Sequence, residues 1–280
     1  MVSGTITLSA NASDNAGVAW VQFKVDGAVV GPQLTASPYN YSLVTTSLTN
    51  AMHTITAVAS DTSGNLATSA AIGITVNNVS KAISFVQATA KSSSAAGKSL
   101  ALSFSSNTTA GNLILIGFDF DPNAVPSSVT DSQGNLFTPV GEQLTSPGGA
   151  RSRVYFAQSI NGGPDTVTVN LSANSAWIEL YLSEYSGVDT VSPLDAQAGA
   201  SGSSSTVSSG NASTSQAGDL IYGYCVGDWA CTVGSGFAAR STFDNNLIED
   251  RTVGNAGSYA ATASANRGWS MQLVALKKAP

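Results

Sequence analysis

The sequence predicts an all-β chain of two sandwiches, a small one over residues 1–78 and a larger one over 83–280, joined by a linker at 79–82. Three observations predict it. Apolar residues nowhere recur at helical 3.6 spacing over three turns. Short β-branched runs instead alternate with period two and stop at Gly, Asn, Asp or Ser. Hydrophobic residues make up 42% of the 280 and charged ones only 10%, which gives an ample core under a surface of small neutral polar groups.

In the small sandwich the strands are "GTITLSANAS", "AWVQFKVDGAVVG", "YNYSLVT", "HTITAVAS" and "AIGITVNN". Asp26–Gly27 inside the second run is a strong two-residue hairpin signal. So many strands in so short a segment make a β-sandwich. The segments "VSGTITLSANASDNAGVAWVQFKVDG", "SPYNYSL" and "NAMHTITAVASDTSGNLATS" resemble, in that order, a bacterial immunoglobulin-like domain of the kind strung in tandem in secreted and surface proteins. The resemblance covers 1–78 and implies a spacer or adhesive module. It also implies that "DxxGN" is a turn between the last two strands, and that His53 stands where the family commonly has His.

The turn chemistry recurs. "ASDTSGNLATS" (59–69) returns as "VTDSQGNLFTP" (129–139), and "ASDNAGVAW" (12–20) shares its beginning. The Asp side chain caps such a turn, and Gly64 supplies a positive φ. Calcium needs six to eight oxygens, and one Asp with one Asn falls short, so these stretches read as turns.

From residue 83 the candidate strands are "ISFVQATA", "SLALSFS", "NLILIGFDF", "SRVYFAQ", "DTVTVNL", "AWIELYLSEY", "DLIYGYCVG", "SYAATAS" and "WSMQLVAL". Their number and spacing predict a jelly-roll-like β-sandwich, with 83–280 kept as one domain. "GNLILIGF", "SEYSGVDTVSPLD", "AGDLIYGY", "GSGFAAR", "LIEDRTVGNAGSYAATAS" and "WSMQLVAL" resemble a module found beside immunoglobulin-like repeats in secreted bacterial proteins. That resemblance implies export and names no ligand.

Several functions are excluded by what is missing from the residues. Eleven basic against 17 acidic residues, with no basic run, make nucleic acid and anionic membrane poor partners. No apolar run reaches a membrane span, so no membrane insertion is expected. No leader segment is visible, and a fragment of a longer exported protein with further domains is the simplest expectation. His53 is the single histidine, so residues 83–280 lack the base of a Ser–His or Cys–His hydrolase and the ligands of a His-bound metal. "GSGF" at 234–237 lacks the strand–helix context of a phosphate loop. Cys225 and Cys231, separated by five residues, are expected to close a disulfide in an oxidising compartment.

Three constellations remain. Glu179 and Glu184 in "ELYLSE" are the candidate carboxylate pair of a glycoside hydrolase, echoing the ExDxxE signature of laminarinase-like hydrolases with Tyr181 where the central Asp belongs. Strand alternation places the two on opposite faces unless a bulge intervenes. Asp119, Asp121 and Asn123 in "DFDPN" are the candidate ligands of a structural Ca²⁺, although Ala124 and Thr130 replace the Gly and Glu of a helix–loop–helix calcium loop. Trp177, Glu179 and Tyr181 form one strand face against Ile178, Leu180 and Leu182, and Arg151, Arg153 and Tyr155 form another against Val154 and Phe156. If these outer faces adjoin, with Trp229 at the rim, flat aromatics flank charged groups as a sugar requires.

The expected function is therefore non-catalytic extracellular binding, with a polysaccharide or cell-surface glycan as partner. A glycoside hydrolase and a structural or adhesive stalk unit stand as alternatives. No cofactor beyond structural Ca²⁺ is expected.

Overall fold

A computed structural model of the chain describes residues 1–78, 81–93 and 95–280; positions 79 and 80 of the expected linker lie outside the described residues. The chain divides into two compact units, Met1–Ser80 with Pro280, and Lys81–Ala279. Among the described residues no helix is long and apolar enough to cross a membrane.

Among the described residues the first unit has seven strands: β1 (Thr5–Ala10), β2 (Val18–Val25), β3 (Ala28–Leu34), β4 (Tyr39–Val44), β5 (Met52–Asp61), β6 (Leu66–Thr68) and β7 (Ile72–Thr75). β1 pairs with β4, and the facing sheet runs β3-β2-β5-β6 with β7 also on β5. Leu8, Phe23, Val25, Leu43 and Ile55 close the core between them. Asp26 opens the β2–β3 hairpin at φ 49°. Its carboxylate accepts from the Thr54 amide (2.7 Å) and from His53 Nδ1 (2.6 Å), while His53 Nε2 lies 2.9 Å from the Thr49 carbonyl. With an acceptor at each ring nitrogen, the imidazolium form is favoured, and the His53 pKa is raised by the Thr49 carbonyl and by Asp26. This histidine pins a hairpin to its neighbour strand.

The second unit opens with β8 (Ser84–Ser92), β9 (Gly97–Ser103), β10 (Leu113–Phe120), β11 (Pro126–Asp131), β12 (Thr138–Thr145), β13 (Arg151–Ala157), β14 (Thr166–Ser175) and β15 (Ile178–Ser186). It continues with β16 (Leu194–Gly202), β17 (Thr206–Ser208), β18 (Ala212–Thr214), β19 (Leu220–Gly227), β20 (Cys231–Val233) and β21 (Ala238–Ser241). β22 (Leu247–Thr252), β23 (Gly257–Tyr259), β24 (Thr262–Ala265) and β25 (Trp269–Leu276) complete it.

The sheet orders reveal a duplication. The first half forms sheets β12-β13-β10-β15-β8 and β11-β14-β9. The second forms β16-β25-β19-β22-β21 and β17-β24-β20, with β18-β23 continuing the interrupted second and seventh strands. Counted within each half, both read 5-6-3-8-1 over 4-7-2. First and last strands lie side by side, and the fifth extends the larger sheet. The region expected as one module is one compact unit built from two such sandwiches.

Registers agree as well: Leu113 of β10 faces Tyr185 of the last strand in its half, and Leu220 of β19 faces Leu276. "AGNLILIGFDFD" (110–121) and "AGDLIYGYCVGD" (217–228) carry the same plan in sequence.

Both five-stranded sheets are covered on two faces. Ile114, Ile116, Phe118 and Phe120 point into the core of the first half. Leu113 and Leu115 point the other way, into a layer shared with Tyr222, Tyr224, Val226 and Leu276 of the second half. Ile221, Cys225 and Leu273 fill the second half's own core. Every residue of β10 and β25 is buried. Burial on both faces is why these strands read as near-continuous apolar runs.

Candidate functional site

A cleft of about 320 Å³ opens at the end of the shared layer, lined by Asp119, Trp177, Glu179, Asp228, Asp244 and Asn246 among others. Asp119 is the seventh residue of β10, on the face that looks into the shared layer, and it sits directly opposite Glu179 of β15. Two residues back, Gly117 leaves room for a ring from the other half: a Cβ there would stand 2.9 Å from Tyr224. The Tyr224 hydroxyl donates to Asp119 Oδ1 at 2.7 Å.

Asn246 Nδ2 donates to both carboxyls, to Asp119 Oδ1 at 3.0 Å and Glu179 Oε2 at 2.8 Å. Tyr181 Oη lies 2.8 Å from Glu179 Oε2 and 2.9 Å from the Phe243 carbonyl. One hydroxyl proton cannot serve two acceptors, so a proton on Glu179 completes the network. The turn that presents Asn246 and Asp244 has Asp244 and Asn245 at φ 49° and 69°, a left-handed conformation that Asp and Asn tolerate.

Electrostatics agree with a protonated pair. Burial pushes Asp119 up to about 7, with the Asp244 charge adding to it. Burial and then the neighbouring Asp119 push Glu179 up to about 8. Two carboxyls this close cannot both ionise cheaply, so the pair holds protons near neutral pH. Asp228 stands at the rim on the loop closed by the Cys225–Cys231 disulfide. Its Oδ1 accepts from Ser146 at 2.5 Å, and Gly148 and Gly268 leave space for its carboxylate.

The sequence-predicted residues divide. Trp177 and Glu179 line the cleft together. Tyr181 is 1% exposed and part of the shared layer, so it holds Glu179 and presents no outer surface. Arg153 and Tyr155 do not adjoin them. Tyr155 stacks on Phe118 (5.8 Å) on the opposite face of the sheet, against the first half's own core. Alternation had marked β15's Glu face as outer, but the second half covers it.

Glu184 is also on that opposite face and fully buried. It accepts from the Thr109 amide (2.8 Å), Asn112 Nδ2 (2.6 Å) and Gln87 Nε2 (2.7 Å). A catalytic Glu179–Glu184 pair is ruled out by this geometry, and the carboxyl facing Glu179 is Asp119. The "DFDPN" carboxylates part company in the same way. Asp119 goes to the cleft, while buried Asp121 accepts from the amides of Asn123 (2.8 Å) and Ala176. Trp229 is 58% exposed on the disulfide loop, with the Arg267 guanidinium 5.2 Å from its ring centre.

Tyr224, Asn246, Asp228 and Asp244 escaped the sequence reading because they come from the other half of the duplication. The paired "AG-L" stretches at 110–121 and 217–228 are the signal that points to them.

The mate positions provide an internal control. By register Asp119 corresponds to Val226, Glu179 to Ser270 and Gly117 to Tyr224. Asn246, next along from the Cys225–Leu247 pair, corresponds to Ser152, opposite Asp119. The Asn246–Glu179 contact becomes a Ser152–Ser270 contact of 3.0 Å between hydroxyls. The same architecture closes there without a carboxyl.

A search among curated proteins returns no match. Among solved structures, a chain from work on host cell surface retention of a 1.5-MDa bacterial ice-binding adhesin is 11% identical, over 93% of this chain and 90% of that one. Its TM-score of 0.22 is too low to carry an argument. Residues 1–57, within the first unit, match the model of a family described as "Bacterial Ig domain".

Proposed function

We propose that the protein is a secreted or surface module that binds a polysaccharide or cell-surface glycan, taking a sugar unit into the Asp119–Glu179 cleft. The observation that carries this reading is the asymmetry of the duplication. The second half closes with Val226 and Ser270 at the matching positions beside the same cleft, so carboxyls there are not required by the strand plan. Buried acceptors beside the half-buried Trp177 suit a ring with apolar C–H faces and hydroxyl donors. Export is supported by the bacterial Ig-domain match and the disulfide. Retention on a panel of insoluble polysaccharides tests the reading. Trp177→Ala and Glu179→Gln should each weaken retention by about tenfold, while Arg153→Ala, on the far face, leaves it unchanged. Equal retention of all three variants overturns it.

A second reading is favoured by the pair itself. One amide nitrogen donates to both carboxyls, which holds them close together across neighbouring strands, and glycoside hydrolysis works through such a carboxyl pair. Asp119 and Glu179 then share the acid and nucleophile roles. Reducing ends released from the same panel, and lost in Glu179→Gln, establish it. If neither retention nor release is found, the role is that of a stalk or filament unit.

A further inference from the structure

A second cleft, of about 480 Å³, opens where the start of β21 meets the end of β22. Ile83, Phe85, Leu220 and Phe237 are its apolar walls, and two arginines line it, Arg240 and Arg251. The protein itself satisfies the first. Arg240 donates from Nε and Nη2 to Asp250 at 2.8 Å each, and its guanidinium carbon lies 4.3 Å from the centre of the Phe85 ring. Asp250 also accepts from the Tyr185 hydroxyl at 2.7 Å, so this charge is answered inside the fold.

Arg251 is the opposite case. Its guanidinium carbon stands 4.7 Å from the Phe237 ring centre and 5.5 Å from that of Tyr259. Its Nε is buried with no acceptor, and among the described residues no ion pair includes this side chain. Glu249 lies two residues back on the same face of β22, fully buried, and its Oε2 accepts from the Gly234 amide at 2.9 Å. Burial holds Glu249 at about 7 against the pull of the Arg251 charge, which makes it a poor counter-ion near neutral pH. Two rings, and no acid, therefore hold this guanidinium. Nη1 belongs to the cleft wall beside Gly236, where an added Cβ would stand 3.8 Å from it.

We propose that this cleft binds the carboxylate of a uronic-acid sugar, with the Nη edge of Arg251 donating to it and the apolar walls taking the C–H face of the ring. A guanidinium is a planar fork that matches the two oxygens of a carboxylate, and one unanswered positive charge suits one singly charged group. A pyranose ring supplies the apolar body that Ile83, Phe85 and Phe237 would cover. The sugar as carrier rests on the glycan reading above; the anion site rests on Arg251. Arg251 follows Asn246 by five residues of extended chain, about 17 Å at strand rise, so this cleft is separate from the Asp119–Glu179 site.

Calorimetric titration of the whole chain with short oligomers of galacturonate, mannuronate and hyaluronan, each beside its methyl ester, tests this. At least one acid oligomer should bind, its ester should not, and added NaCl should weaken the binding. Arg251→Gln should weaken it about tenfold. Arg251→Lys, which keeps the charge without the planar fork, should restore only part of the loss. Trp177→Ala, in the first cleft, should leave uronate binding intact, so a failure of the Asp119–Glu179 reading is told apart from a failure here. No heat from any of the three acids at about 10 mM, equal binding of the esters, or parental affinity in Arg251→Gln overturns the proposal. So does a chain that binds dextran sulfate and none of the uronates. If Arg251→Gln fails to fold, Arg251→Lys decides, and affinity equal to the parent's overturns the assignment.

Discussion

The two halves of the second unit share one strand order and one register, yet at the cleft end of their common layer one half is acidic and the other is neutral. The first half contributes Asp119 and Glu179, which meet under Tyr224 and Asn246. The second half carries Val226 and Ser270 at the same lattice points, and Ser152 meets Ser270. The difference teaches where chemistry was added to a scaffold. A buried acid pair is a burden that the neutral half shows to be dispensable for the strand plan.

The sharpest way to break the comparison is at the point where the halves interlock. Gly117→Ala places a methyl 2.9 Å from the Tyr224 ring. In a layer packed on both sides, this should cost about 3 kcal/mol, read as a fall in the denaturation midpoint with unchanged m-value.

The next largest effect is electrostatic. Asp119 and Glu179 have folded pKa values of about 7 and about 8, above their unfolded values. Their contribution is therefore complete below about pH 4 and is lost as pH rises through that neutral range. Asp165, Asp219 and Glu249, raised chiefly by burial, act in the same sense. Between pH 5 and pH 8 the parent should lose several degrees of melting temperature. Asp119→Asn with Glu179→Gln should flatten that slope and melt higher than the parent at pH 8.

Removing the covalent clamp comes third. Cys225→Ser with Cys231→Ser frees a short loop and should cost about 2 kcal/mol. It should also weaken glycan retention, because Asp228 and Trp229 ride on that loop. Smallest is Ser270→Ala, which removes one hydroxyl contact between the halves and should change stability by about 1 kcal/mol.

How much of this was legible follows from what local sequence encodes. Alternation put Ile178 and Leu180 on one face of β15 and Glu179 and Tyr181 on the other, which the structure keeps. It could not say which face meets water, since a second sheet from residues a hundred positions away covers the one that reads as polar. The β10 run "LILIGFDF" announced a buried strand, but Asp119 read as a calcium ligand grouped with Asp121 and Asn123 because its partners, Tyr224 and Asn246, lie far along the chain. The Asp61 and Asp131 turns were readable because the hydrogen bonds that cap each Asp carboxylate come from within four residues. Asp165 was not, since only the fold of β11 onto β14 brings it beside Asp131.

The doubly covered strands also limit how this unit could be cut or recombined. A chain ending at Ser186 would leave Leu113, Leu115, Tyr181 and Tyr185 facing solvent as one greasy plane. Such a fragment would clump or seek another copy of itself. Each sandwich covers the apolar face of the other, so the two should melt in one cooperative step.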